Sequence, residues 1–311
     1  MTSNAYKLAQ DAAMVAHYDG QPVRDVVTTA LETYEANADL PDDEDNQDPG
    51  SGEEAKRNRW KMFPHIRYKN RPDLEQYGFE PDPKIWYEKA YGMGDIVTST
   101  PSSDQLRTMA IQSPRVVIHD IENRLKANNW VMTQPIADIY VNTLQRFKQH
   151  HRSDGLNCLY ATTTRRDFWR AEAGEGTEQF MDWQRENDKR QDIADAVDAL
   201  MPSLYHLTAD LSRHLRFMRH NIDEAVRTGK GKRIYPFIWP EYHSALIEKD
   251  ERARTPVPAD QWREALELLW DHPSVDGFVL WNLSEKKNVD FKDIPDWWEA
   301  TVEFINDHKL A

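Results

Sequence analysis

The chain has 311 residues with 53 acidic against 39 basic side chains, a formal net charge of -14, 39 % hydrophobic residues and one cysteine. That balance excludes a phosphate-tracking nucleic-acid surface, the lone Cys158 excludes an intrachain disulfide framework or a cysteine-built zinc site, and no apolar run approaches the roughly 20 residues of a membrane-spanning helix. The opening MTSNAYKLAQDAAMVAHYDG has one Lys and no long apolar region ahead of a cleavage site, so the expectation is a soluble, cytoplasmic or virion-associated protein rather than a secreted one.

Along the chain, short apolar runs alternate with segments of helical period, as parallel strands joined by crossover helices do. The first candidate strand, AAMVAHY (12–18), is followed by the amphipathic VRDVVTTALETYEAN and by the acidic PDDEDNQDPGSGEE (41–54). This last stretch cannot bury enough apolar surface to order itself, so a mobile loop is expected over 41–58. WKMFPHI (60–66) is the next strand, and the long span 69–114 is expected to form excursions at one end of the fold. RVVIHD (115–120), LNCLYAT (156–162), ALMPSLY (199–205), KRIYPFIW (232–239) and VDGFVLW (275–281) are further strands. Apolar residues recur at three- and four-residue spacing in PIADIYVNTLQRFKQHH, LSRHLRFMRHNIDEAVR and ADQWREALELLW, as in helices with one buried face. The pattern predicts a single α/β domain over 1–311, a distorted TIM-like (β/α) barrel with seven or eight mostly parallel strands.

Such barrels place their chemistry at the C-terminal ends of the strands. RVVIHDIEN ends in Asp120 and Glu122, two residues apart and so on one side of an extended backbone. Two carboxylates held close together do not both ionise readily, which would keep one protonated as a general acid for glycosidic cleavage. The bland reading is an Asp capping the next helix and a Glu paired with Arg124. Other strand ends supply aromatics: Tyr205, Trp239 with Tyr242, and Trp281. Flat rings suit the apolar faces of sugars and a phenol can bind ring substituents, so a carbohydrate site follows, although each ring could equally be core. Trp297 and Trp298 read as helix packing. HYDG (17–20) could bring Tyr18 and Asp19 to the mouth, or be a simple turn. His65, His119, His206 and His243 lie near strand ends, but without His-x-His or His-Glu-x-x-His spacing they read as structural rather than metal-binding. RTGKGKR (227–233) lacks the form of a phosphate loop and reads as a solvated connection.

On these motifs the chain resembles the hyaluronidases, glycoside hydrolase family 56, whose fold is a distorted α/β barrel. Asp120-Ile121-Glu122 matches the family's Asp-x-Glu at the end of the third strand. MPSLYHLTADLSRHLRFMRHNIDEAVR resembles its Pro-Ser-aliphatic-Tyr strand and following helix, and RIYPFIW and DGFVLWN take the places of the next and the closing strands. The resemblance spans 60–310 loosely and is dense only at 116–123 and 201–282. It implies an endo-acting hydrolase of an N-acetylhexosamine-containing glycan. In that scheme Glu122 is the acid/base, the substrate's own acetamido oxygen is the nucleophile, and Asp120 supports the oxazolinium-like intermediate. Tyr205 binds the acetamido group, Trp281 walls it, and no cofactor is needed. The chain departs from the family in Ile121 for Trp, Asn123 and Arg124 after the Glu, Trp239 for Tyr, and the missing disulfides. Its acidity also leaves the polymer open, since an anionic glycan favours a basic groove. Two rivals remain: a retaining glycosidase with Glu241 as nucleophile opposite Glu122, and a barrel that binds a polysaccharide without cleaving it.

Overall fold

The computed structural model describes residues 49–91, 100–122, 130–282 and 288–311. Two compact units divide the chain, residues 1–55 and 56–311, and the second holds every strand among the described residues. The candidate strand 12–18 with Tyr18 and Asp19, the helix that follows it, and Arg124 lie outside the described residues. Of the expected acidic loop, 41–48 also lies outside them, whereas Pro49–Arg59 is a helix, α1. Its sequence EEAKRNR is made almost wholly of good helix formers.

The strands are β1 (Lys61–His65), β2 (Lys84–Tyr87), β3 (Val116–Asp120), β4 (Leu156–Tyr160), β5 (Ala199–Met201), β6 (Arg233–Ile234), β7 (Phe237–Ile238) and β8 (Gly277–Trp281). All ladders are parallel, in a three-stranded sheet β1-β8-β7 and a five-stranded sheet β2-β3-β4-β5-β6. The candidate strand 232–239 is where the two sheets meet. Pro236 has no N–H to continue a ladder, so the strand divides: Tyr235 N donates to Leu200 O of β5 (2.9 Å), while Pro236 O accepts from Val279 N of β8 (2.8 Å). No ladder among the described residues joins β1 to β2, but the His65 ring and the Tyr87 hydroxyl bridge that seam at 3.2 Å. The result is the distorted α/β barrel expected.

Five predicted strands are present and the sixth is split, with ends trimmed by Pro202 after β5 and by Ala161, at φ 51°, after β4. The crossover helices are also present: α3 (Gln134–Lys148), α7 (Leu211–Gly229) and α8 (Ala259–Asp271). The structure adds β2 and α2 (Ser103–Ile111) inside the span read as excursions, and the short α4 (Phe168–Glu172), α5 (Glu178–Asp188) and α6 (Gln191–Ala196) between β4 and β5. It also adds α9 (Trp297–Asp307), through which Trp297 and Trp298 pack against Trp262, Phe79 and Phe291.

Alternation sorts the side chains into layers. Phe63, Ile85, Ile118, Cys158, Met201, Phe237 and Val279, one or more from nearly every strand, fill the barrel interior. Met62, Phe278 and Leu280 face outward onto α7, α8 and α9, and Val117 and Leu159 onto α3. Both faces of β3, β4 and β8 are therefore largely dry, as a helix-covered parallel sheet requires.

Candidate active site

The phase of β3 positions the acid pair. Val116 and Ile118 point into the barrel and Val117 points to the helices. Continued at the same period, Ile121 is buried in the helix layer and Asp120 and Glu122 emerge, partly exposed, at the mouth. Two contacts hold this strand end. Fully buried His119, facing outward, accepts from the Tyr91 hydroxyl through Nδ1 and donates through Nε2 to Asn157 Oδ1, whose own amide donates to Leu144 O. Burial pushes the His119 pKa down to about 4, so the ring is neutral at neutral pH. The Tyr140 hydroxyl of α3 donates to the carbonyl of Ile121, the residue between the two acids.

Around the acids stands an aromatic wall. Tyr205 stacks on Trp281 with centroids 5.5 Å apart and planes 23° apart, and Trp239 meets both edge-on at 5.5 and 5.2 Å. The Tyr87 hydroxyl, near Trp281, meets His65 Nε2 at 3.2 Å. Tyr160 donates to Ser203 Oγ at 3.1 Å, and Arg166 Nη1 reaches the same two hydroxyls at 3.4 and 3.3 Å. Burial pushes the Tyr160 phenol up to about 12 and Tyr205 well above its usual value, with the Asp120 charge adding to both. Both phenols are therefore protonated donors across the neutral range. His243 stacks on Tyr205 at 6.0 Å, and burial with the Arg166 and Arg254 charges lowers it to about 4.

These groups line one cleft of about 140 Å³ at the C-terminal ends of the strands. It brings together Asp120, Glu122, Tyr205, Trp239 and Trp281. Glu241 and Tyr242 are not among its described walls. Past Pro240 the chain leaves the barrel ladder and pairs with the segment 254–257: Tyr242 N donates to Thr255 O at 3.0 Å and Val257 N to Pro240 O at 3.1 Å. That detour turns Glu241 into the buried layer near Tyr68, whose phenol is raised by burial and further by the Glu241 charge. Tyr242 is turned onto α8, where its hydroxyl donates to Gln261 Oε1 at 3.1 Å.

Sequence reasoning missed Tyr160, Arg166, Ser244 and Arg254, which also line the cleft. Tyr160 carried a signal, since it closes β4; Arg166 and Arg254 come from loops and carried none. His206 stacks on His214 at 3.7 Å in the outer core. Among the described residues no group of three or more His, Cys, Asp or Glu could hold a metal ion.

A second cavity of about 310 Å³ adjoins the cleft and shares Glu122, Tyr160 and Arg166 with it. Glu122 thus stands at the junction of two chambers.

No protein-family model and no curated protein matches the chain. In three dimensions it is similar to bee venom hyaluronidase. The monoclinic crystal structure of that enzyme aligns with a TM-score of 0.54 at 17 % identity, covering 80 % of this chain and 97 % of the bee chain. Its complex with a hyaluronic acid tetramer aligns with a TM-score of 0.56 at 15 % identity, covering 80 % and 96 %. The fold is therefore hyaluronidase-like.

Proposed function

We propose that the protein is an endo-acting glycoside hydrolase that cleaves an N-acetylhexosamine-containing glycan. The observation that carries this reading is the convergence of Asp120 and Glu122 on a cleft walled by Tyr205, Trp239 and Trp281, on a hyaluronidase-like barrel. Glu122, at the junction of two chambers, is placed to protonate a glycosidic oxygen between two sugar rings and later to deprotonate water. The nucleophile in this reading is the substrate's acetamido oxygen, with Asp120 supporting the cationic ring that forms. Tyr205, a buried phenol that stays protonated, is a donor for that acetamido group, and Trp281 and Trp239 pack against it. Glu241 is not among the described walls of the cleft, which favours the substrate-assisted route over one with Glu241 as the covalent nucleophile.

The test is Glu122→Gln. Hydrolysis of oligosaccharides, read as reducing ends, should fall by at least about a thousandfold while binding persists, and a thiazoline analogue of the cyclic intermediate should inhibit the parent enzyme. Undiminished turnover in the variant would sink the assignment, and binding without turnover in the parent would identify a glycan-binding barrel.

A further inference from the structure

Arg166 reaches the aromatic cleft from the loop after β4, and buried groups hold that loop still. The preceding residue is gripped on both of its backbone groups by fully buried side chains of α5. The Arg165 N–H donates to Asn187 Oδ1 at 2.8 Å, and the Arg165 carbonyl accepts from Trp183 Nε1 at 2.7 Å. Asn187 is fixed in turn, because its amide donates to Glu224 Oε1 of α7 at 2.9 Å. Glu224, 2 % exposed, also accepts from Gln184 Nε2 at 3.3 Å and from Arg227 Nε at 2.8 Å. A carboxylate buried this deeply needs such charge-assisted bonds to offset its lost hydration, and through Asn187 they set the place of one loop residue. The chain therefore delivers Arg166 from a braced backbone, although no strand or helix carries it.

Its guanidinium makes three contacts there. Nη1 lies 3.4 Å from the Tyr160 hydroxyl and 3.3 Å from Ser203 Oγ, and the central carbon sits 5.8 Å from the centroid of the Tyr205 ring. The two polar contacts are longer than the usual range of about 2.7–3.2 Å, so neither would fix the guanidinium alone; the braced loop and the ring contact do the rest. Arg has donors and no acceptor, so both hydroxyl oxygens can only accept from it. That leaves the Tyr160 hydrogen to go to Ser203 Oγ, at 3.1 Å. Ser203 and Tyr205 stand two residues apart just after β5, and the Tyr160 and Tyr205 rings lie side by side with centroids 6.0 Å and planes 33° apart. Taking Arg166 away leaves the buried Tyr160 oxygen short of a donor, and an acceptor in that state draws on the neighbouring phenol. The Tyr205 hydrogen would then be pulled toward Tyr160 and away from a ligand.

We infer that Arg166 is a positioning residue that acts through Tyr205: it supplies a donor to the Tyr160 and Ser203 hydroxyls and a cation to the Tyr205 ring, so that the Tyr205 hydroxyl is kept for the acetamido group of the sugar. The inference rests on the glycosidase reading and adds to it a residue that the strand-end motifs do not contain.

The test is a double-mutant cycle with Tyr205→Phe, each variant checked by thermal melting for an intact fold. Arg166→Met keeps the aliphatic stem and removes charge and donors; it should lower kcat about 10- to 100-fold with KM changed less than about threefold. Arg166→Lys, which keeps the charge and loses the fork, should recover part of that loss. On the Tyr205→Phe background Arg166→Met should cost less than about threefold, because residues that act as one unit do not lose their effects independently. Equal losses on both backgrounds, or a raised KM at unchanged kcat, would remove the positioning role and keep the hydrolase. A second readout needs no turnover. With fluorotyrosine incorporated, the fluorine resonance of Tyr205, assigned by its absence in Tyr205→Phe, should move in Arg166→Met and stay in place in Arg170→Met, a change on the neighbouring helix α4 outside the cleft walls. A moved resonance in a parent that cleaves no glycan would remove the hydrolase and keep the Arg166–Tyr205 coupling; a resonance that does not move in Arg166→Met overturns the inference whatever the activity.

Discussion

Ile121, the apolar residue between the two acids, helps hold the pair in place through its backbone. Its carbonyl accepts from Tyr140, a buried phenol of α3, while its side chain packs into the helix layer and so turns its neighbours the other way. Tyr140→Phe deletes the donor and leaves a buried carbonyl without it, which costs about 1–3 kcal/mol. The expected outcome is a lower melting temperature, together with a drop of about ten- to a hundredfold in turnover at little changed KM, because a small displacement of Glu122 spoils alignment more than affinity. A variant that melts lower but turns over normally would leave Tyr140 a purely structural residue.

At the scale of elements, the barrel depends on strands that approach more closely than a side chain allows. Gly277 opens β8 opposite Lys61 of β1 at φ 141°, and a Cβ there would lie 1.8 Å from the Lys61 carbonyl oxygen. Gly277→Ala should destabilise the fold by on the order of 3 kcal/mol or more, read as a fall in the denaturation midpoint; a midpoint within error of the parent would show that the β1–β8 ladder shifts at little cost. The turn from β7 shows the same dependence on local chemistry. Trp239 keeps the inward phase of Phe237, but Pro240 ends the ladder, and the pairing of Tyr242 with Thr255 then takes Glu241 out of the mouth. Simple alternation from Trp239 would have placed Glu241 inside; the pairing after Pro240 places it in the buried layer instead.

For the molecule as a whole, burial of neutral histidines sets an acid limit. His119 and His206 are held down at about 4 and about 3 by burial, and His214, stacked on His206, lies well below its usual value. In the unfolded chain each has a pKa near 6.5, so below that pH the unfolded state binds more protons. The stability these rings allow is complete above about pH 6.5 and is lost as the pH falls toward and through the folded-state values, by up to about 1.4 kcal/mol per pH unit for each ring. Melting temperature should therefore fall steeply between pH 6 and 4, and His206→Phe should flatten that limb; an unchanged acid limb in the variant would assign it to carboxylates instead. Much of the architecture was legible along the chain, because strand and helix periods are local properties: the runs at 60–66, 115–120, 156–162 and 275–281 became β1, β3, β4 and β8, and the Asp120–Glu122 pair carried its own facing in its spacing. The four-residue β2, the helices α4 to α6, and the arginines that line the second chamber were not legible, since a short strand has too little period to register and a loop residue's neighbours are set by folding. Sequence by itself determined which residues share a face of a strand, a matter of backbone geometry within a few residues. Only the tertiary structure decided which faces meet, placing Tyr160 and Arg166 beside Glu122 and sending Glu241 away, because closure of the barrel brings together strand ends that are far apart in the chain.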